Sequence, residues 1–166
     1  MCGIAGALIT KKSYEKIDLN NLLPLMVEQI EHRGPNSRNF TVKDNIGLGH
    51  TRLAVLDLSE AANQPMITED NNIILVFNGE IYNFKKLKTI LISNGFKFKS
   101  TSDTEVILNG YCLWGKDIFC KLQGMFAIAI WDKRKQELIL ARDQIGKKPL
   151  FYSWQNGNLI FSSEIK

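Results

Sequence analysis

The sequence predicts an α+β fold in which two mainly antiparallel sheets are flanked by about three helices, and three observations carry that expectation. Residues 73–77 (IILVF) and 125–131 (MFAIAIW) read as strands apolar on both faces, so both faces of their sheet must be covered. The Asn156-Gly157 dipeptide between LFYSW and LIFSS is a strong local signal for a tight antiparallel hairpin. Helical spacing of apolar residues is confined to a few segments. Two sheets packed face to face with helices outside, a four-layer αββα sandwich, meet these demands. Periodicity alone is equally compatible with a simpler α+β layout.

In chain order, residues 3–9 (GIAGALI) read as a short apolar strand. Residues 19–32 (LNNLLPLMVEQIEH) read as a helix, with Pro24 tolerable only near its start. Residues 46–50 and 52–56 look like strand separated by a polar step. Phe84, Leu87, Ile90 and Leu91 fall on one face of a helix over 84–94, and Gly95 suits its stop. FKFKS (96–100) alternates like a half-buried strand. Ser102-Asp-Thr-Glu105 is a capping-box pattern ahead of an apolar helix over 106–114. Strands over 125–131 and 137–141, joined by a polar turn, precede the final hairpin.

With 166 residues, 45% hydrophobic and 23% charged, the chain suits one globular domain over 1–166. No apolar run approaches the roughly 20 residues of a membrane span. The N-terminus carries its positive charge after the apolar stretch, at Lys11 and Lys12, which argues against a signal peptide and for a cytoplasmic protein. The net charge of +4 is scattered over Lys11-Lys12, residues 85–88, Lys133-Arg134-Lys135 and Lys147-Lys148, which reads as solvated surface, not a nucleic-acid groove. Three cysteines without a CxxC pair argue against a disulfide framework or a zinc site. Cys112 and Cys120 lie among apolar residues and are expected to be buried thiols.

Cys2 differs by position. Initiator methionine is commonly removed before a small residue, which would leave a thiol and a free α-amine on one residue. An α-amine with a pKa of about 7.7–8 can accept a proton near neutrality, and a terminal amine can serve as base for its own side-chain nucleophile. Taken alone, a small buried residue is the better reading of Cys2. Local readings of the other polar candidates are equally bland. Asn78-Gly79 is a common turn pair, Asp103 suits a helix start, Arg52 suits a surface ion pair about as well as a ligand site, and Glu80 suits solvent.

The run Cys2-Gly3-Ile4-Ala5-Gly6 resembles the start of the class II, N-terminal nucleophile glutamine amidotransferases. Further motifs follow in family order: His32-Arg33-Gly34-Pro35, Gly49-His50-Thr51-Arg52-Leu53, Asn63-Gln64-Pro65-Met66, Asn78-Gly79-Glu80-Ile81-Tyr82-Asn83, Ser102-Asp103-Thr104-Glu105, Leu122-Gln123-Gly124-Met125-Phe126-Ala127 and Ala141-Arg142-Asp143. HRGP, FNGEIYN and LQGMFA are most similar to the glutaminase domain of glutamine-hydrolysing asparagine synthetase. The resemblance implies the αββα sandwich of N-terminal nucleophile hydrolases. It implies Cys2 as nucleophile with its own α-amine as base, and Asn78 and Gly79 as the oxyanion hole. It implies Arg52 on the glutamine carboxylate, Asp103 with Glu80 on its ammonium, and the backbone around Leu53 and Val55 along the pocket. His32 and His50 are then structural or pocket-supporting.

The resemblance also bounds the rest. No metal or cofactor is expected on these residues. ATP and Mg²⁺ belong to a C-terminal synthetase domain or subunit, whose SGG-type phosphate loop the sequence lacks. An excised domain is the preferred reading over a split subunit. Glutamine and that synthetase part are the expected partners, without nucleic acid or membrane, and a homodimer is left open. The alternatives are the same glutaminase serving another acceptor, such as a sugar or another carboxylate, and a non-catalytic docking or regulatory module.

Overall fold

The apolar strand candidates pair into two antiparallel sheets. A computed structural model describes residues 1–10 and 17–165; the expected solvated pair Lys11-Lys12 lies outside the described residues. The first sheet has the order β2-β3-β1-β9-β8, built from β1 (Gly3–Leu8), β2 (Ser37–Lys43), β3 (Ile46–Arg52), β8 (Phe151–Gln155) and β9 (Asn158–Ser162). The second has the order β4-β5-β6-β7, from β4 (Met66–Ile67), β5 (Ile73–Ile81), β6 (Gly124–Asp132) and β7 (Glu137–Arg142). Helices α1 (Leu19–Gln29), α2 (Phe84–Ser93), α3 (Asp103–Trp114) and the short α4 (Ile118–Lys121), with three short 3₁₀ turns, complete the described elements. None is long and apolar enough to cross a membrane.

Strand alternation sorts the core into two slabs. Odd residues of β5, namely Ile73, Leu75, Phe77 and Ile81, pack against Leu87 and Leu91 of α2 and Val106, Ile107 and Tyr111 of α3. Even residues Ile74 and Val76 meet Ile4, Ile46, Leu48 and Phe161 of the other sheet. On the outer face of the first sheet, α1 sits tight against β3 because Gly47 and Gly49 carry no side chain. A Cβ at Gly49 would fall 2.3 Å from Val27 Cγ2. The order is therefore α1, sheet, sheet, α2 with α3: the four-layer αββα sandwich.

The last hairpin forms as expected, with Asn156 (φ 52°) and Gly157 (φ 79°) both left-handed, as a two-residue turn of this type requires. Helix α1 is shorter than expected, and His32 falls in a separate 3₁₀ turn, Glu31–Arg33. Asp18 caps α1 by accepting from the Asn20 N–H at 2.9 Å. Pro24 lies in the second turn, where the hydrogen bond it cannot donate would have gone to exposed Asn20.

Several expectations fail for identifiable reasons. FKFKS is not a strand, because a side chain takes its backbone donors: the Glu105 carboxylate accepts from Lys99 N–H and Ser100 N–H, both at 2.8 Å, and from Ser100 Oγ at 2.6 Å. The capping box is thereby only half made. Ser102 Oγ accepts from Thr104 N–H, but Glu105 turns to the preceding loop. Residues 53–56 form a loop after β3, not a second strand. The edge strand β2 (SRNFTVK) escaped notice because its alternation is mostly polar. Cys112 and Cys120 are exposed, lying on the sides of α3 and α4 turned away from buried Gly110 and Ile118. Lys148, expected on the surface, is 6% exposed, whereas Lys147 is solvated.

Removing the Glu105 carboxylate leaves two partly buried backbone donors without partners. Glu105→Ala is expected to cost about 2–3 kcal/mol, read as a lower urea midpoint at unchanged m. Lys99→Ala, which breaks only the exposed ion pair with Glu69, should leave the midpoint in place.

Candidate active site

The inter-sheet face continues past its apolar core at one end of the sandwich, and there it turns polar. Cys2 stands two residues from Ile4, Asn78 two from Val76, and Met125 two from Ala127. On β3, His50 and Arg52 follow Ile46 and Leu48. The same alternation that buries the apolar members aims these side chains into a shared cavity of about 250 Å³. The loop 53–57, Gln64, Ser102, Asp103 and Lys148 close its walls.

Cys2 is half-buried, and its sulfur is held by one residue. Sγ accepts from Leu53 N–H at 3.3 Å and donates to Leu53 O at 3.6 Å. The Cys2 carbonyl accepts from Arg33 Nε at 3.0 Å, and Arg33 Nη1 bridges to Glu164 at 2.8 Å. Leu53 and Val55 are exposed at the cavity mouth, so it is their loop's backbone that frames the site. Met1 also lines the cavity.

Asn78 and Gly79 are not a turn. Both lie inside β5, and Asn78 is 1% exposed. Asn78 Nδ2 has no hydrogen-bond partner among the described residues. Such a donor costs about 1–3 kcal/mol until an acceptor enters. Strand register settles where Gly79 points. The N–H and C=O of its partner Phe126 both bond Asp143 on the β7 side, so Gly79 and Phe126 form a non-hydrogen-bonded pair. The Gly79 N–H therefore faces away from β6, as do those of Phe77 and Ile81. Phe77 N–H donates to Gln64 Oε1 at 2.6 Å and Ile81 N–H to Asp103 Oδ2 at 3.0 Å. Between these two capped donors, that of Gly79 opens on the cavity wall, because β4 pairs only with Leu75 and Ile74. Glycine is required here by the neighbouring strand: a Cβ would lie 2.2 Å from Met125 O.

Arg52 is buried at 8% exposure and makes no ion pair among the described residues, unlike the surface role its local sequence suggests. Its Nη1 donates to Ser59 O at 2.9 Å and Asn63 Oδ1 at 2.7 Å, and its Nη2 to Asp57 O. Of five guanidinium hydrogens, three are engaged, leaving Nε–H and one on Nη2 for a ligand. Asp103, at the first turn of α3, is buried, and burial pushes its carboxyl up to about 6. The charge of exposed Glu80 adds to this, while the backbone donors of Ile81 and Thr104 oppose it. His50 is buried and held neutral, its pKa pushed down to about 3 by burial, with the Arg52 charge assisting and the Phe77 backbone opposing. His32 lies away from the cavity, its Nε2 at 2.9 Å from Glu164.

Sequence reasoning missed four residues that build this site. Asp57 ties the mouth loop to the segment before α3, accepting from Thr101 N–H (2.7 Å) and Oγ1 (2.9 Å). Asn63 holds Arg52. Gln64, after capping Phe77, also donates to Thr104 Oγ1 at 3.2 Å. Lys148 lines the wall. Asn63 and Gln64 sit in a motif that was legible, but their partners are distant in sequence.

Asp103 and His50 act on stability in opposite directions. Asp103 holds its proton in the folded state above the ordinary 3.8, so stability falls as pH rises from about 4 to about 6. His50 gives up its proton below the ordinary 6.5, so stability falls as pH drops from about 6.5 to about 3. Asp103→Asn removes one slope and leaves the other. Its unfolding free energy is expected to drop from pH 6 to pH 4 more steeply than the parent's, by about 2 kcal/mol. Parallel urea-unfolding curves across that range would show that Asp103 titrates normally.

Residues 1–166 match a sequence family described as a glutamine amidotransferase domain. Asparagine synthetase (glutamine-hydrolyzing) 2 of Bacillus subtilis is 41% identical over the whole chain, which spans 22% of that protein. The amidase chry2 of Gibberella zeae is 39% identical, again over the whole chain and 26% of that protein. The chain thus spans about a quarter of the length of these curated relatives. In fold, the glutamine phosphoribosylpyrophosphate amidotransferase of B. subtilis superposes with a TM-score of 0.81 at 22% identity, over 98% of this chain and 42% of that one. The two-sheet sandwich is shared with that structure, the sequence likeness runs from first residue to last, and the chain belongs to the glutamine amidotransferase domain family.

Proposed function

We propose that the chain, once Met1 is removed, hydrolyses glutamine to glutamate and ammonia through a thioester on Cys2, and that the ammonia serves an asparagine-synthetase-like acceptor domain. One observation carries the reading: the Cys2 sulfur, the unpaired Asn78 amide and the open Gly79 N–H face a single cavity that also holds a cation, Arg52, and an acid, Asp103. Free glutamine offers a carboxylate, an ammonium and a neutral amide, and this set has a counterpart for each.

The α-amine of Cys2 takes the thiol proton as sulfur attacks the amide carbon. The oxygen that becomes anionic is met by Asn78 Nδ2 and the Gly79 N–H, donors fixed before the reaction begins. The carbon–nitrogen bond breaks as the amine returns a proton to the leaving nitrogen, and ammonia departs. Water then cleaves the thioester. The remaining hydrogens of Arg52 suit the planar substrate carboxylate. Asp103, with Glu80 beside it, holds the substrate ammonium, and ionisation above about pH 6 fits that task. Retained Met1 would acylate the amine and leave its side chain in the cavity.

The acceptor would be a synthetase domain or subunit carrying the ATP and Mg²⁺ chemistry, in the cytoplasm, where free thiols such as Cys2, Cys112 and Cys120 stay reduced. A second reading keeps the glutaminase and changes the acceptor. The amidase relative, as similar as several synthetases, favours keeping it in view.

Cys2→Ala is expected to abolish ammonia release from glutamine in a preparation whose parent is shown by mass to have lost Met1. Release at the parental rate would end the reading, since a group other than the Cys2 thiol would then be cutting the amide. Arg52→Lys keeps the charge but loses the fork, and should raise KM for glutamine about tenfold or more with a smaller change in kcat. An unchanged KM would remove Arg52 from the carboxylate.

A further inference from the structure

The Ala141-Arg142-Asp143 motif plays no part in the mechanism above, yet it builds an elaborate turn. The Asp143 carboxylate accepts from the N–H groups of Lys147 (2.8 Å), Lys148 (3.0 Å) and Phe126 (3.2 Å). Arg142 Nε donates to Lys148 O, and Arg142 Nη2 to Gly146 O, both at 2.6 Å. Gly146 takes the left-handed conformation (φ 65°) that lets the chain double back. Both sides of Lys148 are thus pinned, and its side chain is directed inward.

That side chain ends in the cavity. Lys148 lines it together with Cys2, and its Nζ lies 3.1 Å from Met1 Sδ. No carboxylate among the described residues lies within ion-pair distance of it. Met1 Sδ is five bonds from the Cys2 nitrogen, a span of at most about 6 Å. The ammonium therefore sits within about 9 Å of that nitrogen, and loss of Met1 leaves both facing the same space.

We propose that Lys148 is a positioning residue for the nucleophile, its ammonium keeping the freed α-amine of Cys2 neutral and able to accept the thiol proton. The inference rests on the glutaminase reading. Acids facing the site favour a protonated amine: Glu80 on β5, Asp103 on α3 and Asp57 in the mouth loop. Cations oppose them. Arg52 on β3 is largely engaged by that loop, Arg33 is bridged to Glu164, and buried His50 is neutral. Arg52 and Lys148 are the cavity-lining cations without an ion pair among the described residues; Arg52 is held by the mouth loop, whereas Lys148 reaches Met1 itself, and like charge disfavours protonation of a neighbouring amine.

The test is the pH dependence of kcat/KM for glutamine in Met1-free parent, Lys148→Met, Lys148→Gln and Lys148→Arg, each shown folded by circular dichroism. The two neutral variants are expected to move the acid limb up by about one pH unit, a loss of about tenfold below it that vanishes at high pH, while Lys148→Arg keeps the parental limb. A limb that stays in place in a folded neutral variant, whether the rate is parental or uniformly lowered, overturns the proposal. A parent that releases no ammonia fails the glutaminase reading instead. Titration of the ¹⁵N-labelled Cys2 amine in parent and Lys148→Gln then still decides, since an unmoved titration sinks the role of Lys148 and an upward move supports it.

Discussion

Everything at the site depends on the two sheets packing face to face with their side chains alternating between slabs. The inner slab is apolar along most of its length, where Ile4, Leu48, Val76 and Ala129 fill it. At one end the same rows carry Cys2, Arg52, Asn78 and Met125. The chemistry is thus a polar termination of the core, not an addition on loops. That placement explains how an unpaired amide such as Asn78 is tolerated: pairing of β5 with β6 through this stretch fixes the strand and prevents the amide from relaxing towards a partner.

A second consequence of the sheet geometry concerns the backbone. On the outward side of β5, donors at alternate residues meet Gln64, open space and Asp103 in turn. Asp103 therefore has two duties, sealing the Ile81 N–H and presenting charge to the cavity. Burial raises its pKa, with the Glu80 charge adding to the rise, and the bond to the Ile81 N–H only partly offsets it. Arg52 likewise shapes the loop 57–63 as well as the pocket, so the groups that line the cavity also hold its walls.

Much of this was legible from the sequence. Cys2, Arg52, Asn78, Gly79 and Asp103 were identified because their motifs occur in family order, and the structure brings all five to one cavity. Local reasoning alone would have misplaced Asn78-Gly79, since the pairing that keeps them in a strand comes from distant β6, where Asn78 faces Ala127 and Gly79 faces Phe126. FKFKS failed similarly: its alternation is real, but the Glu105 carboxylate supplies bonds that a partner strand would have given. Lys148 looked solvated because its neighbours are. The turn that buries it depends on Asp143 and Arg142, a tertiary arrangement that no local pattern announces.

The parity of β5 also limits how this domain can change. Inserting or deleting one residue between Ile73 and Asn78 would rotate the remainder of the strand by half a turn. Asn78 would then point among the helices, and its neighbour, Phe77 or Gly79, would take its place at the thiol. Length variation is therefore barred from β5 and confined to connections such as 68–72 or 133–136. Divergence within this scaffold must proceed by exchanging one side chain for another at fixed positions, with the frame itself left untouched.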